Sequence, residues 1–168
     1  FIAKNKKGYE NLSIMSSIAY TKGFYYVPRI DKQIIETYKS DLIVLTGNLN
    51  GELPSKILNL GDNQAEEALQ WWHQQFGDDL YIELMRHQQE DEKRANEVML
   101  RLAKKYDIKI VATNNSYYTT KAEANAHDIL LCVKEGEKQA TPIGRGRGFR
   151  YGFPNQEYYY KSQSAMKA

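Results

Sequence analysis

The sequence predicts an α/β fold in which parallel strands alternate with helices. Three observations carry that reading. Three short apolar runs, Leu42–Leu45, Leu80–Leu84 and Ile108–Ala112, have the length and composition of strands. Longer segments with helical apolar spacing separate them. Each run ends in polar residues: Thr46-Gly47-Asn48, then Met85-Arg86-His87, then Thr113 to Tyr118. Barrels and doubly wound sheets place their chemistry at that end of a strand.

Residues 9–21 read as a helix with Leu12, Met15 and Ala19 on one face, stopped by Gly23. Pro28 disfavours helix at Val27, so Phe24–Asp31 is extended. A short helix follows, with Ile34, Ile35 and Tyr38 inward, before the first strand, whose continuous apolar run implies cover on both faces. Ser55 to Leu60 forms a short helix after Pro54, ended by Gly61. In residues 63–76, Ala65, Ala68, Leu69, Trp72 and Phe76 fall on one helical stripe.

The second strand alternates Leu80, Ile82 and Leu84. Residues 90–106 follow as a helix that buries Ala95, Val98, Met99, Leu102 and Tyr106. Its acidic start (Glu90, Asp91, Glu92) and basic end (Lys104, Lys105) suit the helix dipole. The third strand is expected to be buried through Ile108, Ile110 and Ala112. Thr120 to Glu123 is a capping-box pattern, so a helix starts there and runs to Gly136, with Ala122, Ala126, Ile129, Leu130 and Val133 as its apolar face. Residues 137–168 are rich in glycine, arginine and tyrosine and show no clear period before Tyr158-Tyr159-Tyr160.

At 168 residues with 42% hydrophobic and 26% charged side chains, one globular domain with a real core is expected. A net charge of +2 does not argue for nucleic-acid binding by itself. The single cysteine, Cys132, excludes an intramolecular disulfide and fits a reducing, cytoplasmic compartment. No apolar run approaches a membrane span, and the first residues, which lack a methionine, carry no signal-peptide pattern. Three parallel strands without a closing partner would make an incomplete sheet. The chain is therefore expected to be part of a larger barrel or open sheet.

The candidate chemistry is sparse. Asn48, His87, Asn115, Ser116 and Tyr117 follow strands, but asparagine is a weak neutral ligand and a phenol of ordinary pKa about 10 needs help to ionise. A hydrogen-bonded structural cluster is the simpler reading. His127, four residues after Glu123, suits a helix-surface contact, His73 a half-solvated structural site, and Cys132 a buried inert position. Gly144–Phe153 interleaves Arg145, Arg147 and Arg150 with Phe149, Tyr151 and Phe153. It is either a basic–aromatic patch for nucleic acid or a mobile connector. The thirteen tyrosines, several paired, are either half-buried aromatics or stacking surfaces for bases.

Seven segments together resemble one family. They are KNKKGYENL (4–12), YTKGFYYVPRID (20–31), LIVLTGNLNGELP (42–54), FGDDLYIELMRH (76–87), VATNNSYY (111–118), AHDILLCVKEG (126–136) and EYYYKS (157–162). In this order and spacing they resemble the PHP (polymerase and histidinol phosphatase) domain of bacterial replicative DNA polymerase III alpha subunits. The resemblance implies the later part of an irregular (βα)7 barrel over residues 1–168, with 137–168 as a tail leading toward the polymerase body. It also implies metal ligands at barrel positions that here carry Asn48 (LTGN for an LSGC-like motif), Asn115 and Tyr117 (TNNSYY for a TNDVHY-like motif). All three have lost the charge or donor a ligand needs.

The implied protein is therefore a DNA-directed DNA polymerase acting in replication with magnesium, whose catalytic aspartates lie outside this segment. No cofactor is expected here, and zinc or manganese is not expected at the degenerate site. The implied partners are the rest of the polymerase chain, the proofreading and other holoenzyme subunits, and DNA through the parent chain. Two other readings remain: a metal-dependent phosphoesterase or proofreading exonuclease with substituted ligands, and an accessory nucleic-acid-binding module built on Arg145, Arg147 and Arg150.

Overall fold

The computed structural model describes residues 1–167. Of the expected 137–168 tail, Ala168 lies outside the described residues. The chain divides into two compact units: Phe1–Leu84 with Arg94–Val111, and Met85–Lys93 with the stretch from Ala112 onward.

The first unit holds a four-stranded sheet in the order β1 (Ile2–Ala3), β2 (Leu42–Leu45), β3 (Leu80–Leu84), β4 (Lys109–Ala112). β2 and β3 are parallel, with Val44 opposite Leu80 and Leu45 opposite Tyr81. β1 runs antiparallel to β2, Ile2 facing Ile43. The α/β expectation holds with this one added strand, whose two residues are too few to show a period.

The helices form for local reasons. α1 (Lys6–Thr21) is capped by the Asn5 side chain, which accepts from the Gly8 N–H at 3.1 Å. α2 (Lys32–Tyr38) is capped by Asp31, which accepts from the Ile34 N–H at 2.9 Å. α3 (Glu52–Asn59) starts three residues before the expected Ser55. Pro54 sits in its first turn, where a missing N–H costs nothing. Gly51 precedes it at a close approach: a Cβ there would run into the Thr46 carbonyl oxygen.

The core lies between the sheet and α3, α4 (Asp62–Phe76) and α5 (Glu90–Tyr106). Leu42, Val44, Leu80 and Ile82 from the sheet pack with Leu53 and Ile57 of α3, Leu69 of α4, and Val98, Met99 and Leu102 of α5, all nearly inaccessible. Ala65 and Ala68 are also buried on the inner stripe of α4, as the helical spacing required. Across α3 and α4, the Trp72 indole N–H donates to Glu52 at 2.8 Å.

β4 departs from its expectation. Ile108, just before it, is buried, but Ile110 is 46% exposed and Ala112 is also exposed. β4 is the edge of the sheet, so its apolar residues lack the cover that a strand between two neighbours has.

In the second unit the capping box is present: the Thr120 N–H donates to Glu123 at 2.7 Å, leading through a 3-10 turn into α6 (Ala124–Glu135). Gly136 ends α6 in the left-handed region (φ 69°). The expected inward face of this helix is instead turned out, with Ile129, Leu130 and Val133 at 46, 63 and 74% exposure. Cys132 is buried, and His127, Asp128 and Leu131 are half-buried. The inner face of α6 therefore serves a polar and aromatic cluster rather than an aliphatic core.

The segment without a period returns to pair with the rest of this unit. The Tyr117 N–H donates to the Tyr158 carbonyl at 2.8 Å and the Tyr160 N–H to the Tyr118 carbonyl at 2.9 Å. A closed loop joins Ile143 to Arg150, the Gly144 N–H donating to the Arg150 carbonyl at 3.0 Å. A short α7 (Gln163–Lys167) follows.

The core and the α6 face should answer truncation very differently. Leu69→Ala is expected to cost about 3 kcal/mol, as for a fully buried leucine, whereas Leu130→Ala should stay within about 0.5 kcal/mol. Urea midpoints of the two variants measure the contrast.

Candidate functional site

Asn48 lies in the first unit, in the tight loop after β2. Its side-chain oxygen accepts from the Asn50 N–H at 3.0 Å, an Asx turn, and its carbonyl accepts from the Gly51 N–H at 2.7 Å. Asn48 thus shapes its own loop.

His87, Asn115 and Tyr117 lie in the second unit, and two of them meet directly. His87 is 1% exposed. Its Nδ1 is 2.7 Å from Glu92 Oε1, and its backbone N–H donates to the other oxygen of the same carboxylate. On the far side of the ring, Nε2 lies 3.4 Å from the Asn115 N–H. That contact makes Nε2 the acceptor and leaves Nδ1 to donate to Glu92. The imidazole stacks on Tyr158 at 4.3 Å and 12°, while the Asn155 amide donates to the His87 carbonyl.

The Asn114 amide donates to the Tyr159 carbonyl at 2.8 Å, so the loop after β4 is held to the returning segment beside His87. Tyr117 is 53% exposed, with its ring 4.7 Å from Phe153 and 5.6 Å from His127.

Burial pushes the Glu92 carboxyl up, but the hydrogen bonds from the His87 ring and backbone outweigh it and hold the group below the usual carboxylate range. Burial pushes the Tyr158 phenol up to about 12, with the nearby Glu92 carboxylate adding to the effect. A phenol so placed is neutral at physiological pH and serves as a ring to stack on and a hydroxyl that accepts from the Gln89 amide at 2.9 Å.

The three arginines separate. Arg145 and Arg147 are exposed on the Gly144–Arg150 loop. Arg150 is 5% exposed and holds Asp128 through both terminal nitrogens, at 2.7 and 2.9 Å, while its Nε donates to the Thr141 carbonyl. This bidentate pair holds the Asp128 carboxyl below its ordinary range. A guanidinium committed in this way fixes the fold of the loop, and the exposed basic pair reduces to Arg145 and Arg147.

His127 does not take up Glu123, which is occupied in the capping box. It stacks on Phe153 at 4.9 Å and sits beside Tyr117 and Tyr118. His73 packs edge-on to Tyr106 in the first unit.

Glu92, Asn155 and Asp128 organise this unit. The sequence signal for Glu92 was the acidic first turn of α5, which reads equally well as a helix-dipole feature. Asp128 and Arg150 are 22 residues apart, and no periodicity links them.

As metal donors the ligand-position residues do not fit. A neutral amide already used in an Asx turn, an asparagine whose backbone serves His87 and a half-exposed phenol offer none of the imidazole, thiolate or carboxylate that zinc or manganese takes. Among the described residues, no group of three or more His, Cys, Asp or Glu side chains is placed to hold a metal ion.

The chain belongs to the PHP domain family, whose model matches residues 1–87. Three relatives carry the same name. DNA polymerase III subunit alpha of Campylobacter jejuni is 36% identical over 174 residues, covering 98% of this chain and 14% of that protein. The Borreliella burgdorferi protein of the same name is 35% identical, over 98% of this chain and 14% of its own length. That of Thermus aquaticus is 36% identical, over 99% of this chain and 13% of its own. The chain thus spans only about one seventh of the relatives it matches.

The buried pair gives a pH dependence of known sign. Glu92 has a folded value below its ordinary 4.5, so its contribution is fully present above that value and lost as pH falls through the folded one. Glu92→Ala is expected to cost about 3 kcal/mol at neutral pH, by stripping a buried ring of its partner, and to flatten the acid limb of stability. Thermal unfolding from pH 7 down to pH about 3 tests both.

Proposed function

We propose that this chain is the PHP segment of a bacterial replicative DNA polymerase alpha subunit, a cytoplasmic enzyme of DNA replication, and that its metal site is degenerate. The observation that carries the reading is the state of the three family ligand positions. Asn48 closes its own Asx turn, Asn115 uses its backbone N–H toward His87, and Tyr117 is an exposed ring against Phe153. None is set up to bind a transition metal, and what holds the second unit's loops together is the His87–Glu92 pair.

In this reading the segment contributes no catalytic residue. Magnesium-dependent nucleotidyl transfer belongs to the rest of the polymerase chain, which also makes the contact with DNA. The segment is a platform for that chain and for the proofreading and other holoenzyme subunits. The turned-out face of α6, with Ile129, Leu130 and Val133, is suited to such packing, since exposed aliphatic side chains grouped on one helix gain by burial against a partner. No helix among the described residues is long and apolar enough to cross a membrane.

Metal analysis of the full-length polymerase chain tests the reading. Zinc and manganese at the PHP segment are expected well below one per chain, with no chelator-sensitive phosphodiester hydrolysis on adding manganese. Stoichiometric metal with manganese-dependent turnover would establish the phosphoesterase reading instead. For the platform role, Leu130→Asp together with Val133→Asp should lower the thermal midpoint of the full-length chain. An unchanged midpoint and unchanged subunit assembly would remove α6 from the interface.

A further inference from the structure

A cavity of about 210 Å³ opens within the second unit, between the start of α6 and the returning segment. One wall is aromatic, made by Tyr118, His127 and Phe153, with His127 and Phe153 stacked on each other at 4.9 Å. The rest of the lining mixes apolar Ala124, Leu131 and Ile143 with polar Asn125, Asp128, Asn155 and Gln156. The Asp128 carboxylate is spent on Arg150, and the Asn155 amide on His87 and the Glu157 N–H. In contrast, the buried Tyr118 hydroxyl has no hydrogen-bond partner of good geometry. Among the described residues the Gln156 amide and the His127 ring nitrogens make no hydrogen bond, and Asn125 uses only its oxygen, toward Gln139.

The Gln156 amide and the Asn125 amide nitrogen line the same cavity as the aromatic wall. Those features select for a planar heterocycle. Amide side chains pair with the donor and acceptor edges of bases, and aromatic faces stack on them. The volume lies below the roughly 300–1,000 Å³ of pockets for larger ligands, which limits the occupant to about one base. Ile143, in the cavity wall, leads directly into the loop that exposes Arg145 and Arg147, cations suited to an attached phosphate.

We propose that this cavity binds a single unpaired nucleobase against Tyr118, His127 and Phe153, with its phosphate at Arg145 and Arg147. The ring edge is read by Gln156 and Asn125. The site does not depend on a metal, so it stands apart from the state of the ligand positions.

The test is photo-crosslinking of the full-length chain to a single-stranded DNA oligonucleotide carrying 5-iododeoxyuridine, followed by peptide mapping. The expected adduct lies on Tyr118, His127 or Phe153. Its yield should fall roughly tenfold in His127→Ala and in Gln156→Ala, the scale of losing one stacked or paired base. Gln156 is exposed and keeps the test valid should the histidine variant unfold. An abasic oligonucleotide in excess should fail to compete. Competition by thymidine monophosphate would identify a free nucleotide as the occupant, and its failure a base within a strand; either supports the site. Adducts only outside residues 117–156, no adduct, full competition by the abasic strand, or unchanged yield in both variants would each overturn it.

Discussion

One buried imidazole organises the second unit. His87 presents Nδ1 to Glu92, Nε2 to the backbone of Asn115, its ring face to Tyr158 and its carbonyl to Asn155. Three stretches are thereby fixed to one residue: the segment from the loop after β3 into the first turn of α5, the loop after β4 and the returning segment. Each partner satisfies a different atom, so the buried ring carries no unpaid polar group. A buried carboxylate at such a place is retained at a desolvation cost. Its return is the geometric fixing of loops that contain no regular structure of their own.

The parts legible in the sequence were those governed by one local rule. α4 and α5 were readable because a dry stripe recurs every three to four residues. β3 showed because Leu80, Ile82 and Leu84 alternate, and the start of α6 because Thr120 and Glu123 satisfy each other. The errors have a common cause. Ile110 and the Ile129–Val133 face look buried by composition, but burial depends on whether another element covers them. Pro54 reads as a boundary, although a first helical turn accepts it. The returning segment is held by single bridges such as Tyr117 to Tyr158, and these leave no period to detect. In the candidate site, the identity of the residues at Asn48, Asn115 and Tyr117 was visible; what they now do for the backbone was not.

The same contrast separates the two kinds of arginine in the Gly144–Phe153 loop. Arg145 and Arg147 project from glycine-rich turns, while Arg150 folds back onto Asp128 and the carbonyls of its own loop. A buried guanidinium with all its directions occupied gives a loop of high glycine content a fixed shape. The neighbouring cations are then presented from a defined base rather than from a free coil.

The close fit of Gly51 against the Thr46 carbonyl bears on what the loop after β2 can tolerate. The loop keeps its path because no side chain can be added at Gly51, whereas position 48 needs only an oxygen that can reach the Asn50 N–H. Shape and chemistry are therefore under separate constraints within four residues. The residue at position 48 can thus be exchanged while the path of the loop stays locked.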